Sequence, residues 1–230
     1  MGFSRGPKVV RDGLILCLDA ANPKSYPGSG TTWSDTITGF EASLVNSPVY
    51  SPSDNGSFIF DGTNDYCQVT SDGTGTFDNQ SFTIESWINP DTIDTDGVIF
   101  SYDFTSHTPP YYAANFRIAS IGRVLFGWNN VGTYTYTLTP TNSYVAGEWQ
   151  HMVAVFTSGR QEIRINGQLI SSSANSDVIT YYNQEVWISR GNWTGGYTDG
   201  KIAMVKYYNR ALSADEILQS YNALKPRFGL

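Results

Sequence analysis

The 230-residue chain predicts an all-β fold, a two-sheet antiparallel jelly-roll sandwich with one short C-terminal helix. Three observations carry that expectation. Short runs of alternating apolar residues recur along the chain, each bounded by Gly, Pro, Asn, Asp or Ser. Aromatic residues reach 14% while charged ones make up 15%, well under the quarter or so that is usual for a globular chain. One stretch with helical spacing closes the sequence. About a dozen strands followed by a single helix point to a sandwich rather than an alternating α/β fold.

The elements follow in order. Leu14, Leu16 and Leu18 alternate in a first strand, which ends at the turn-rich residues 22–30. Ser57–Asp61 leads through a Gly turn into Tyr66–Val69, a hairpin-like pair. In residues 82–88, Phe82, Ile84, Ser86 and Ile88 share one face, and Thr83, Glu85 and Trp87 share the other. Strand character returns at 98–102, 115–119, 123–128 and 134–139, then at 151–157, 161–165 and 168–172. Asn166-Gly167 sits between the last two, and a type I′ turn there needs positive φ at both positions. Residues 186–189 and 202–208 complete the strands, with Trp187 out of phase with Val186 and Ile188. Residues 22–39 and 105–114 read as the long loops. Ser213 stands three residues before Glu216 and forms a capping box. Ile217, Leu218, Tyr221 and Leu224 follow at helical spacing, and Pro226 stops the helix.

This organisation is one domain over residues 13–230, preceded by an N-terminal arm over residues 1–12. The net charge is −7, from 14 basic and 21 acidic residues. A nucleic-acid partner would need a basic patch, and Arg5, Lys8 and Arg11 in the arm are too few to suggest one. The sequence shows neither an apolar leader nor an apolar run of about 20 residues. The expectation is a chain made in a cytoplasm, without membrane insertion. Cys17 and Cys67 both lie in apolar strand-like runs and read as core thiols. A disulfide between them would require Cα atoms within about 7 Å.

Catalysis finds little support in the residues. His107 falls in a long loop and His151 in a strand, and there is no G-x-S-x-G nucleophile elbow. Glycoside hydrolysis needs two carboxylates about 5–5.5 Å apart for retention, or farther for inversion. Glu85 stands alone in its strand, and Asp94 and Asp96 alternate only within a turn-rich stretch. Calcium takes six to eight oxygen ligands, and Asp19, Asp61, Asp65 and Asp199 are the acids whose placement suits it. Turn chemistry explains the same residues, since Asp side chains bond nearby backbone in turns. Sugar recognition would use exposed rings beside amides. Trp128, Asn129, Tyr134, Tyr136, Tyr181, Tyr182, Trp187 and Trp193 form that candidate set. Rings of this kind equally cover sheet faces and protein contacts.

Five blocks resemble one known family. Residues 13–20 (GLILCLDA) with Trp33-Ser34-Asp35, residues 57–66 (SFIFDGTNDY) and residues 82–90 (FTIESWINP) are the first three. Residues 148–155 (EWQHMVAV) with 165–167 (ING), and the C-terminal stretch from Asp199 to Leu230, are the others. Together they resemble the laminin-G-like, concanavalin A-like lectin/glucanase jelly rolls, a family concerned mostly with surface recognition. The resemblance implies a concanavalin A-like sandwich with Trp87, Trp149 and His151 in structural positions. It also implies a non-catalytic module. Where many members carry Ile-Asp-Glu in the last strand, this chain has Ile202-Ala203-Met204, which removes two acids from any calcium site.

The KVVRDGL opening at 8–14 and the terminal Arg227-Phe228-Gly229-Leu230 look like copies found among structural proteins of tailed bacteriophages. That likeness implies a virion component, a capsid decoration or a tail or fibre protein. Its partners would be capsid or tail/fibre proteins and host-surface glycans; separately, open sheets and aromatic faces that want cover point to a homo-oligomer. A free-standing lectin is the alternative, and an endoglycanase the remote one.

Overall fold

The computed structural model describes residues 8–70, 75–104, 112–130, 133–174, 178–181, 184–191 and 196–230. The first eight strands are β1 (Leu14–Asp19), β2 (Thr32–Ser34), β3 (Glu41–Val45), β4 (Val49–Ser51), β5 (Ser57–Asp61), β6 (Tyr66–Val69), β7 (Phe82–Pro90) and β8 (Gly97–Phe104). Then come β9 (Tyr112–Ala119), β10 (Arg123–Asn130), β11 (Thr133–Leu138), β12 (Gln150–Thr157), β13 (Arg160–Ile165), β14 (Gln168–Ala174), β15 (Gln184–Ile188) and β16 (Asp199–Tyr208). A helix, α1 (Ala214–Leu224), and a 3₁₀ turn over Lys225–Phe228 close the chain.

These strands form two antiparallel eight-stranded sheets, as the alternation predicts. One runs β14-β13-β12-β7-β16-β5-β4, with β1 pairing the second half of β16. The other runs β11-β10-β9-β8-β15-β6-β3-β2. Period-2 alternation sends one side chain in two between the sheets. Phe82, Ile84 and Ile88 of β7 meet Phe100, Phe116 and Phe126 of the second sheet there, all at most 1% exposed. Each such ring or branched chain contributes about 1.5–3 kcal/mol by leaving water, so the core alone fixes how the sheets face each other.

The outer face of the first sheet carries the C-terminal helix. Val153, Val155 and Tyr208 pack against Leu212 and Ile217, and Val10 joins them. Val10 N–H also donates to Ser220 Oγ, and Gln219 donates to the Lys8 carbonyl. Residues 8–12 of the expected arm are therefore docked on the helix. The capping box forms as read: Glu216 N–H donates to Ser213 Oγ, and Ser213 N–H to Glu216 Oε2. Arg210 adds two bonds to the same carboxylate, at 2.9 and 2.6 Å. Asn166 and Gly167 have φ of 51° and 79°, the positive pair that the β13–β14 turn requires.

Three short strands, β2, β3 and β4, lie in or near the early segment that reads as loop. β9 likewise begins at Tyr112, inside the expected 105–114 loop. Cys17 and Cys67 are both free thiols, one partly buried and one in the core.

Candidate functional site

The second sheet turns its other face outward, and alternation decides what it shows. In β15, Val186 and Ile188 enter the core, so Glu185 and Trp187 point out. In β6, Cys67 and Val69 enter the core, leaving Tyr66 and Gln68 outside. The same rule puts Ser43 of β3, Ser101 and Asp103 of β8, and Asn115 and Arg117 of β9 on this face. Gly127 and Asn129 of β10, and Tyr134 and Tyr136 opposite them on β11, complete it.

The pairing aligns these residues into one row across all eight strands. Tyr136 pairs Gly127, Gly127 pairs Asn115, and Asn115 pairs Ser101. Ser101 pairs Trp187, Trp187 pairs Gln68, Gln68 pairs Ser43, and Ser43 pairs Thr32. Seven steps at about 4.8 Å make a row roughly 34 Å long. The middle of the row is buried, with Ser101 at 0%, Asn115 at 1% and Trp187 at 4% exposure, while Tyr136 at one end is 49% exposed. Among the described residues neither end of the Asn115 amide has a partner, an uncommon state for a buried polar group.

Toward β3 the face opens into a cavity of about 380 Å³ lined by Ser43, Gln68, Val69, Thr70 and Glu185. Glu185 Oε2 accepts from Gln68 Nε2 at 2.8 Å and from the Trp187 indole N–H at 3.1 Å. Trp187 in turn carries Arg190 on its ring, with the guanidinium carbon 4.1 Å from the ring centre, and Tyr66 lies 4.5 Å from the same carbon. At the far end, Tyr134 stacks on Tyr136 at 5.2 Å and meets Tyr112 edge-on at 5.4 Å. Burial raises the Tyr112 and Tyr134 hydroxyls above the ordinary phenol range, so both stay protonated donors.

The candidate rings separate cleanly. Tyr134, Tyr136, Trp187 and Asn129 share the outer face. Trp128 does not: it alternates with Val124 and Phe126 into the core, is 0% exposed, and meets Phe156 edge-on at 4.8 Å. Tyr181 is half-buried against the core, and its hydroxyl donates to the Asn79 carbonyl at 2.5 Å. Both are packing residues, not sugar platforms. Trp187 is also no open platform, because Arg190 covers its ring. Tyr182 and Trp193 lie outside the described residues, as does His107. Sequence reasoning missed Ser43, Gln68, Glu185 and Arg190. The phase that turned Trp187 outward was enough to find Glu185, two residues earlier.

Of the four aspartates proposed for calcium, Asp61 and Asp199 face each other, and burial, then the Asp61 charge, raises the Asp65 carboxyl, while Asp19 stands apart. Asp19 Oδ1 accepts from Arg227 at 2.9 Å and pairs with Met204, five residues along β16 from Asp199. Asp61 pairs with Asp199, but Asp61 Oδ1 accepts the backbone N–H groups of Thr63, Asn64 and Asp65. The Thr63 bond leads in holding the Asp61 carboxyl below the usual range. Burial, then Asp91 and Asp61, raise Asp199. Among the described residues no three His, Cys, Asp or Glu side chains are grouped as a metal would need.

Glu85 and His151 belong to a different place. Glu85 is 1% exposed beneath α1, with Lys206 Nζ at 2.7 Å and His151 Nε2 at 3.2 Å from Oε1. Trp87 beside them is covered by Phe228, stacked at 4.0 Å. Buried under a helix, this acid has no access to a substrate.

A family model described as the concanavalin A-like lectin/glucanases superfamily matches residues 61–218. No curated protein matches the sequence. Among solved structures, the botulinum neurotoxin DC binding domain in complex with rat synaptotagmin II superposes with a TM-score of 0.71 at 16% identity. It covers 92% of this chain and 52% of that one. The same binding domain in complex with SialylT gives 0.70 at 16% identity, over 93% and 52%. Trypanosoma rangeli sialidase in complex with the inhibitor DANA gives 0.70 at 14%, over 95% and 34%. The chain thus spans about half the length of the toxin domains and a third of the sialidase. Likeness at this identity establishes the fold alone.

Proposed function

The chain belongs to the concanavalin A-like lectin/glucanase superfamily, and from that premise we propose that it is a non-catalytic recognition module whose outer second-sheet face binds glycans. The supporting observation is the cavity between Ser43, Gln68, Thr70 and Glu185. Two hydroxyls, an amide and a carboxylate converge there beside an indole edge, a mixture of donors and acceptors that sugar hydroxyls can satisfy. The tyrosine end of the row supplies an exposed ring face for stacking. Fold relatives solved with SialylT and with synaptotagmin II support glycan and protein partners alike for this architecture.

The setting we propose is a phage virion surface, with the module held by capsid or tail/fibre proteins and assembled as a homo-oligomer. The phage-like sequences at residues 8–14 and 227–230 support the setting. The edge strands β14 and β11, which carry the exposed Leu169 and Tyr136, support assembly, because unpaired edges favour association. Binding to purified particles together with an oligomeric mass in solution is the expected result. A strict monomer that ignores particles defeats this part.

A glycan-array screen with calcium present tests the binding reading. The expected result is a hit that Gln68→Ala and Glu185→Gln both weaken, with melting temperatures unchanged. An array without hits overturns it. One observation favours a second reading, glycoside hydrolysis: Glu185 and Asp103 are register partners on this face, and paired positions hold Cβ atoms about 4.5–5.5 Å apart. Release of reducing ends from a bound glycan, abolished by Glu185→Gln, would establish that reading in place of the first.

A further inference from the structure

Arg190 occupies an unusual position for an arginine in a chain of net charge −7. Its guanidinium lies 4.1 Å from the Trp187 ring centre and 4.5 Å from that of Tyr66. Stacking on rings engages the faces of the plane and leaves the in-plane N–H donors available. Among the described residues, Arg117, Arg160, Arg164, Arg210 and Arg227 each have a carboxylate within ion-pair distance, whereas Arg190, like Arg11 and Arg123, has none, and of these three only Arg190 is laid over two aromatic rings. Glu185, the acid of the preceding strand, is instead engaged by Gln68 and Trp187.

The backbone is built to hold the arginine there. β15 ends at Ile188, and Ser189 adopts a φ of 64°, a left-handed conformation that a non-glycine residue adopts at some cost. Ser189 is fully buried and fixed on both sides: its hydroxyl donates to the Asp65 carbonyl at 3.0 Å and accepts the Thr198 N–H at 3.2 Å. Ser101 Oγ, from the central row, donates to the Arg190 carbonyl at 2.8 Å. This turn folds Arg190 back over Trp187, whose indole N–H bonds Glu185 of the cavity lining.

We infer that Arg190 is an anion-reading residue of the glycan site, and that the preferred ligand is a carboxylate-bearing oligosaccharide. The planar fork of donors matches a carboxylate in two-point geometry. The acidic group would lie against Arg190, and a neighbouring sugar would place its hydroxyls on Glu185, Gln68 and Ser43. Glu185 at the other edge of the Trp187 ring repels a second negative charge, so one acidic group per ligand fits better than a run of them. This inference rests on the glycan reading above.

The test compares sialyllactose and a uronic-acid disaccharide with lactose, by calorimetry at low and high salt, on the wild-type chain, Arg190→Ala and Arg190→Lys. Either acidic probe should bind about tenfold or more tighter than lactose, a difference of about 1.4 kcal/mol, and the two acidic probes show which carboxylate geometry fits. Salt should reduce that preference. Arg190→Ala should abolish it, bringing the affinity for both acidic probes to that for lactose. Arg190→Lys, which keeps the charge but not the fork, should recover only part of it. Lactose bound as tightly as both acidic probes, with no change in Arg190→Ala, overturns the inference and leaves the glycan reading standing. Failure of all three sugars to bind, with no hit on the array, removes both.

Discussion

Lys206 Nζ lies 2.7 Å from Glu85 Oε1, with the two side chains 2% and 1% exposed beneath the C-terminal helix. The Tyr208 hydroxyl reaches the other carboxylate oxygen at 3.3 Å. Burial alone would raise the Glu85 carboxyl, but Lys206 and His151 outweigh it and hold it down to about 2. The unfolded chain takes up that proton near 4.5. Its contribution to stability is therefore complete above pH 4.5 and is lost as the pH falls toward 2. Arg210 first, then the Ser213 N–H, depress Glu216 to about 2 as well, so the helix cap loosens over the same window. Urea midpoints should hold steady from neutral pH to about 4.5 and drop below it.

Removing one partner of the pair leaves a buried charge uncompensated. Lys206→Met should cost about 3–5 kcal/mol and move the acid transition to higher pH. The double variant Lys206→Met with Glu85→Gln should recover much of that loss. A double variant no more stable than the single one would show that the pair adds stability beyond cancelling its own burial.

Phe228 seals the same region, lying nearly parallel to Trp87 at 10° and 4.0 Å. The following αL Gly229 and the Arg227 bonds to Asp19, Asn55 and Gly56 fix its approach. Phe228→Ala should destabilise by about 3–5 kcal/mol and shift the tryptophan emission to the red as water reaches Trp87. Emission unchanged would mean that Tyr221 and Leu224 close over the gap.

Much of this architecture is local information. The capping box, the Asn166-Gly167 turn and the two faces of β7 depend on residues within a few positions of each other, so they were legible. β2 and β4 are three residues long, too short for alternation to register, and were not. The outer row behaves differently. Trp187 stands out of phase with the core-facing Val186 and Ile188, whereas Val124, Phe126 and Trp128 share one phase and all enter the core. That Trp187 adjoins Gln68 and Ser101 depends on pairing between residues 119 and 86 positions apart, and no local pattern encodes such a register.

Gly127 tests whether that row is a working surface. A Cβ there would lie 2.6 Å from the Thr135 carbonyl oxygen and 2.8 Å from the Tyr136 Cβ, and a backbone atom cannot swing aside. Gly127→Ala should cost about 1–3 kcal/mol by overpacking and push β11 outward. Under the glycan reading it should also weaken sugar binding through the displaced tyrosines. Stability lost with affinity intact would confine recognition to the Glu185 end.

Calcium gives the last prediction. Asp19 is committed to Arg227 and Asp61 to three backbone N–H groups, which leaves Asp199, beside Asp91, without a full set of oxygen donors. EDTA should therefore leave the melting temperature unchanged, and added calcium should not raise it. The measurement is decisive because a real site would be easy to see. An ion present at a hundred times its Kd stabilises by about 2.7 kcal/mol, and a shift of that size moves the melting temperature by several degrees. A fall in EDTA that calcium reverses would require Asp61 to exchange its turn bonds for the metal. Asp61→Asn, which keeps an oxygen acceptor for the turn but drops the charge, would then abolish the reversal.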